Sequence, residues 1–259
     1  MKSIVGIFNS FVDARRAAAI LRSIGVQDNH ISVLSPRTSE AQLAAAVPIS
    51  ESEQPGMGRA IGGTIGGALG VATGLEAGAA AASILIPGVG PVLAFGLIGA
   101  ALLGVGGAAA GALAGGALEE GVAKGLPRDE LYVYEDALRR GRSVVIAFAD
   151  DQIAERAQTE LSRAGAESVD AARHEWWIGL RDAEQEHYTK QGGDFKMDEA
   201  KYRLGFEAAL HPDRRSKSYE ECEGKLREKY SDECATRPFR EGYERGRNYQ
   251  RYLLERHKA

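Results

Sequence analysis

Apolar and polar positions alternate differently in three parts of the chain, and each pattern predicts its own kind of element. Ser3 to Phe8 is an apolar, β-branched run that predicts a strand. Val12, Ala17, Ile20, Leu21 and Ile24 then recur at helical spacing, with Asp13 favouring the helix start and Gly25 placed where a C-cap belongs. His30 to Leu34 reads as a second strand, ended by Ser35 and Pro36. The same alternation resumes much later. Pro127 opens a helix through Arg140, Gly141 closes it, and Ser143 to Phe148 is a strongly apolar strand. Asp151 to Ala164 follows as an amphipathic helix ended by Gly165, with Asp150 as its N-cap, and Ser168 to Ala172 is expected to be a last strand.

Two βα units flanking one insertion fit an α+β fold: a ferredoxin-like split α/β sandwich with helices on one face of the sheet. The domain organisation expected is 1–37 for the first half, 38–57 for a linker, 58–119 for the insertion, 120–173 for the second half and 174–259 for a helical extension.

Composition sharpens the reading of the insertion. The chain has 32 glycines, and more than half of them fall between Gly58 and Gly116. Gly58, Gly62, Gly66, Gly70, Gly74 and Gly78 recur every four residues, and Gly107, Gly111 and Gly115 repeat the spacing. On a helix each series lies on one stripe, where missing side chains let backbones approach closely. Glycine in a helix costs about 1 kcal/mol relative to alanine, so such a run needs a packing reason. Ile86 to Pro91, with Pro87, Gly88, Gly90 and Pro91, reads as the turn between two helical arms. Each arm is about 25 residues, long enough at about 1.5 Å per residue to cross a hydrocarbon core. Arg59 before the first arm and Glu119, Glu120 and Lys124 after the second put charges at the ends that would share the cytoplasmic side. Glu76 is the one charged residue between Arg59 and Glu119. It either faces a bundle interior within lipid or faces water on a partly inserted or soluble hairpin.

From His174 onward the chain is highly charged, with Tyr202, Phe206 and Leu210, then Phe239, Tyr243 and Leu253, at helical intervals. Pro212 and Pro238 are expected to separate the helices. Tyr202-Arg203-Leu204-Gly205-Phe206-Glu207 matches Phe239-Arg240-Glu241-Gly242-Tyr243-Glu244 with aromatic, Arg and Gly in register, which points to paired helices. Trp176 and Trp177 are either a membrane-interface signal or packing anchors.

Val5-Gly6-Ile7-Phe8, the glycine-rich insertion, Gly125-Leu126-Pro127, Tyr134-Glu135-Asp136-Ala137-Leu138 with Gly141, the tail motif Tyr202 to Phe206, and Tyr219-Glu220-Glu221 with Leu226-Arg227 together resemble the bacterial general stress proteins, including heat-induced stress proteins of the YflT-like type. The resemblance covers most of the chain and implies an association with stress, with no reaction attached.

Charge and motif chemistry narrow the functional classes. A net charge of -4 with no basic stripe argues against nucleic acid as a partner. The five histidines show no HExxH and no zinc spacing, so neither a metal nor a cofactor is expected. Gly62-Gly63-Thr64 lacks the lysine of a P-loop, and no Gly-x-Ser-x-Gly elbow occurs. Cys222 and Cys234 read as reduced thiols or one optional bridge. The expectation is a non-enzymatic, stress-associated protein. It self-assembles into a homo-oligomer through the glycine stripes, at or in the cell membrane with lipid as a partner and both termini cytoplasmic. The alternative is a soluble oligomeric regulatory module that binds a small ligand through the α/β domain.

Overall fold

The computed structural model describes residues 2–36, 81–86, 89–96 and 127–256. Strands β1 (Lys2–Phe8), β2 (Ile31–Pro36), β3 (Ala81–Ile86), β4 (Gly90–Gly96) and β5 (Ser143–Ala149) form one antiparallel sheet in the order β1-β5-β2-β4-β3. β5 lies between β1 and β2, with Ile4 and Ile31 both opposite Ala147, so β1 and β2 run parallel to each other across it. Helix α1 (Phe11–Ser23) makes the crossover between them. Ser10 caps it by accepting from the Asp13 backbone N–H at 3.1 Å, and Gly25 leaves it at φ 102°, a conformation glycine adopts at little cost.

After β4 the described chain resumes with α2 (Leu131–Arg139), which leads into β5, and α3 (Asp151–Arg163) follows. Ala14, Ala17, Ala18 and Leu21 of α1 and Ala154, Ala157 and Leu161 of α3 pack on the sheet face carrying Ile4, Val33, Val145 and Ala147. Gly6 sits under this layer, where a Cβ would stand 2.9 Å from Ala166 Cβ.

The opposite face, carrying Val5, Ile7, Leu34, Val144 and Ile146, is covered by α2 and by the tail. Helices were expected on one face only; the sheet is in fact sandwiched between two helical layers. Every residue of β5 is buried, as a strand covered on both faces requires.

The expected last strand at Ser168–Ala172 is instead the start of α4 (Val169–Lys190). Ser168 accepts from the Ala171 backbone N–H at 3.2 Å and commits the chain to helix. What survives of strand pairing is a single bridge between Ile7 and Glu167 on the outer edge of β1. The tail continues as α5 (Phe195–Ala209), α6 (Tyr219–Tyr230) and α7 (Arg237–Arg256). Pro212 opens a 3-10 turn between α5 and α6, while Pro238 lies in the first turn of α7, where its missing N–H is harmless.

Candidate interaction sites

The predicted interface residues Gly58, Gly62, Gly66, Gly70, Gly74, Gly78, Gly107, Gly111 and Gly115, together with Glu76, lie outside the described residues, as does the expected linker 38–57. One part of the helical-hairpin expectation is corrected. Residues 81–86 and 90–96 are strands, and the Pro-Gly turn at Ile86–Pro91 joins β3 to β4 instead of joining two helices. The turn was correctly placed because proline and glycine break any regular element. What they separate was misread because a short apolar run fits strand and helix alike. The register Ala81↔Phe95 and Ala82↔Ala94 fixes how the insertion meets the sheet: both glycine-rich stretches join it at the same end of the β3–β4 hairpin.

Within the described residues, small residues make one backbone-to-backbone contact, in the tail. The repeat noticed in the sequence places Gly205 of α5 against the backbone of Phe239, and Gly242 of α7 against the backbone of Tyr202. A Cβ on Gly205 would lie 2.8 Å from the Phe239 carbonyl carbon, and one on Gly242 would lie 2.8 Å from the Tyr202 carbonyl carbon. One turn further on, a Cβ on Gly246 would lie 3.1 Å from Ala209 Cβ and 3.0 Å from the Phe206 carbonyl carbon. Tyr202 opposite Gly242 and Phe206 opposite Gly246 mean that the two helices run in the same direction. The two copies of the repeat are therefore equivalent partners in a parallel small-xxx-small crossing. α6 carries the chain back so that α7 can start beside α5, and Tyr219, Cys222 and Leu226 pack with Phe239 and Tyr243 behind the seam.

Three carboxylates fasten this seam to its surroundings. Glu184 of α4 is 4% exposed; it accepts from the Tyr202 hydroxyl at 2.7 Å and from Arg245 of α7 in a bidentate pair at 2.8 and 2.7 Å. Burial pushes the Tyr202 hydroxyl well above its ordinary range, and the adjacent Glu184 carboxylate pushes it the same way. Glu199 of α5 accepts from Arg181 at 2.8 Å and from the Trp177 indole at 2.9 Å, and the Arg181 bond holds its carboxyl below the usual range. Glu135 of α2, itself buried, accepts from Arg215 at 2.7 Å and ties the tail to the sheet layer.

Arg214 is 5% exposed. Its Nε donates to the Ala208 carbonyl at 2.7 Å, with the guanidinium 5.9 Å from the Tyr230 ring centre. Arg215 donates to the Leu210 carbonyl at 3.3 Å, so two arginines satisfy the negative C-terminal end of α5. Burial, followed by the nearby Arg214 charge, lowers His211 to a pKa of about 4.

Trp176 and Trp177 are both buried. Trp176 packs 4.8 Å from Tyr132 of α2 and 5.8 Å from Phe206, which makes the pair packing anchors between the sheet layer and the tail. Cys222 and Cys234 are free and buried. Asp150 stands at the N-cap of α3 as expected, yet its side chain makes no capping bond; its backbone carbonyl accepts from Ala154 instead. Among the described residues no cluster of metal-ligating side chains occurs, and no helix is long and apolar enough to cross a membrane. Sequence reading missed the Glu184–Arg245–Tyr202 set. The one available signal for the seam beyond the repeat was Gly242-x-x-x-Gly246, which carries the same spacing as the long series. No family model, curated protein or solved structure matches the chain.

Proposed function

We propose that this is a non-enzymatic, stress-associated protein that self-assembles through its glycine series, presented from one edge of an α+β body. The observation that carries the reading is the register of the β3–β4 hairpin, which brings both glycine-rich stretches to the sheet at one end of one strand pair. The tail adds support, because there the chain uses small residues four apart for direct backbone contact between helices. The core fits a ferredoxin-like arrangement. The line of Glu167 bridge, β1, β5 and β2, with α1 and α3 on one face, follows a split βαβ pair whose last strand has shrunk to one bridge.

The same pairing reshapes the membrane part of the expectation. β4 lies beside β2 in the sheet, so residues 90–96 sit on the same side as the core. An arm that leaves this body and returns to it does not make a simple two-span hairpin whose turn lies across the bilayer. Lipid contact in this reading is at the membrane surface, through the uncharged residues 97–118 that follow β4.

The test is expression of the full chain, membrane flotation with a carbonate wash, and mass by light scattering for the native chain and for Gly66→Leu/Gly70→Leu. The reading expects an oligomer that floats, is released by carbonate, and falls apart in the double variant. Carbonate-resistant membrane retention would favour a spanning hairpin, and an unchanged mass in the double variant would sink the zipper argument.

A further inference from the structure

We infer that the tail forms an ionic-strength-sensitive clasp on residues 128–130, the joint through which the chain enters the α+β body after its glycine-rich insertion, and that raised salt releases this joint while the body stays folded. The inference goes beyond the self-assembly reading and does not depend on it.

The start of α2 lacks the local fastening found elsewhere in the chain. Ser10, Ser168, Asp194 and Ser218 each cap their helix by accepting a backbone N–H of its first turn. The 3-10 turn Arg128–Glu130 that leads into α2 has no such bond, at Pro127 or at Glu130. An uncapped start leaves backbone donors without a side-chain partner and holds less firmly. What holds this one is charge from far along the chain. Arg128 donates to Asp213 of the Pro212 turn at 2.7 Å, Asp129 accepts from Lys229 of α6 at 3.2 Å, and Glu130 accepts from Arg173 of α4 at 3.3 Å. Three consecutive residues thus reach three different elements of the tail. Burial raises the Asp129 carboxyl, but the Lys229 charge and hydrogen bond outweigh it and hold the group below the usual carboxylate range.

Exposure decides how these pairs respond to salt. The side chains of Arg128, Asp213, Lys229 and Asp129 are between 42% and 54% exposed. Pairs this open are weak singly, and they are screened as the Debye length contracts from about 10 Å at 0.1 M salt to about 3 Å at 1 M. Glu130 is less open and also accepts from the Tyr134 hydroxyl at 2.6 Å. The rest of α2 is held otherwise. The Glu135 side chain, 10% exposed, pairs with Arg215 at 2.7 Å, and Tyr132, Val133 and Leu138 lie in the core cluster with Trp176 and Phe206. Buried pairs are screened much less, and apolar packing has no charge to screen. One helix therefore has a salt-labile entrance and a salt-resistant body.

The test is hydrogen exchange read by mass spectrometry on the full chain at about 0.05 M and about 1 M sodium chloride, for the native protein and Asp213→Asn/Lys229→Met. Both substitutions lie in the tail, so the peptide reporting on residues 128–131 keeps its sequence, and the peptide covering 135–139 is the internal control. In the native chain the 128–131 amides should exchange about fivefold faster at high salt with 135–139 unmoved. The double variant should show the faster rate already at low salt and gain little more. Should it lose its fold, Lys229→Met alone carries the test with a smaller shift of the same sign. Equal protection of 128–131 at both salts, or a variant that keeps the native salt response, overturns the clasp. So does opening of 135–139 together with 128–131, which would make α2 one unit. Gly66→Leu/Gly70→Leu should show the native salt response whatever its mass, so failure of the zipper and failure of the clasp are read separately.

Discussion

Gly242 is the position where opposing effects of one methyl group can be weighed against each other. In an exposed helix interior, Gly→Ala stabilises by about 1 kcal/mol, because alanine has less backbone freedom to lose. Gly224 of α6 provides that reference, being exposed, helical and with nothing within 4 Å of a built Cβ. At Gly242 the same methyl would stand 2.8 Å from the Tyr202 carbonyl carbon and 3.1 Å from the Phe206 nitrogen, and would overlap the Tyr202 carbonyl oxygen. Those atoms are main chain on a facing helix, so no rotamer change relieves the overlap. α5 and α7 must separate, and Tyr202 must pull away from Glu184. Overpacking of this kind costs about 1–3 kcal/mol, and the weakened buried hydrogen bond adds about 1 kcal/mol. The net expectation is destabilisation of about 1–3 kcal/mol for Gly242→Ala and stabilisation of about 1 kcal/mol for Gly224→Ala. At about 2–4 °C per kcal/mol for a protein of this size, the two variants should melt on opposite sides of the native chain. Urea titration followed by near-ultraviolet circular dichroism, which reports the buried Trp176 and Trp177, provides the second measurement. A Gly242→Ala chain as stable as native, or one that tracks Gly224→Ala, would refute the close-approach argument.

Two further outcomes follow from the polar groups around the seam. Glu184→Ala leaves Tyr202 and Arg245 without their acceptor, and should cost about 3 kcal/mol in a urea titration, whereas Arg245→Met should cost less because the Tyr202 hydroxyl still donates to the carboxylate. His211 is lowered to about 4 from 6.5 in the folded chain, so between those values the unfolded chain binds more protons and stability declines as pH falls. His211→Asn, which retains an acceptor for the Asp213 backbone N–H, should flatten the stability profile between pH 6.5 and 4; an unaltered slope would assign the acid sensitivity to other groups.

The parts of the fold legible in the sequence are those written in local signals. β1, α1, β2, β5 and α3 were expected within a residue or two, because apolar periodicity marks the bodies; α2 was expected from Pro127 and begins at Leu131, after a 3-10 turn over Arg128–Glu130. Gly25, Gly141 and Gly165 mark the ends, and each adopts positive φ. The errors arise where non-local pairing decides. Ala81–Ile86 has no helical or strand identity of its own until β4 pairs with it, and the four-residue glycine spacing on either side made a continuous helix the cheaper reading. The second helical layer was invisible for the same reason: what covers the Val5–Ile7 face is a tail that begins more than 160 residues later in the chain. The tail repeat was legible as a pair because two copies of aromatic-Arg-x-Gly must face something alike. Its polar fastening was not, because Glu184 and Arg245 are separated by 61 positions and no local pattern links a glutamate to its arginine.

The two small-residue systems in this chain can be separated by experiment because they load different parts of the molecule. The α5–α7 seam is internal. It is held behind by the Phe239–Tyr243 cluster and in front by Glu184 and Glu199, and it is joined to the sheet through Glu135–Arg215 and the Trp176–Tyr132 contact. A methyl group placed there acts first on folding free energy, and its reach into the sheet is through the buried cluster that Tyr202 and Phe206 share with Val92 of β4. Changes in the glycine series, which joins the sheet at one end of the β3–β4 hairpin, act on assembly in the proposed reading. Gly242→Ala should therefore lower the melting temperature at native mass, and Gly66→Leu/Gly70→Leu should lower the mass at native melting temperature. A variant of either class that moved both quantities together would mean that assembly stabilises the body itself. The oligomer, and not the single chain, would then be the folding unit.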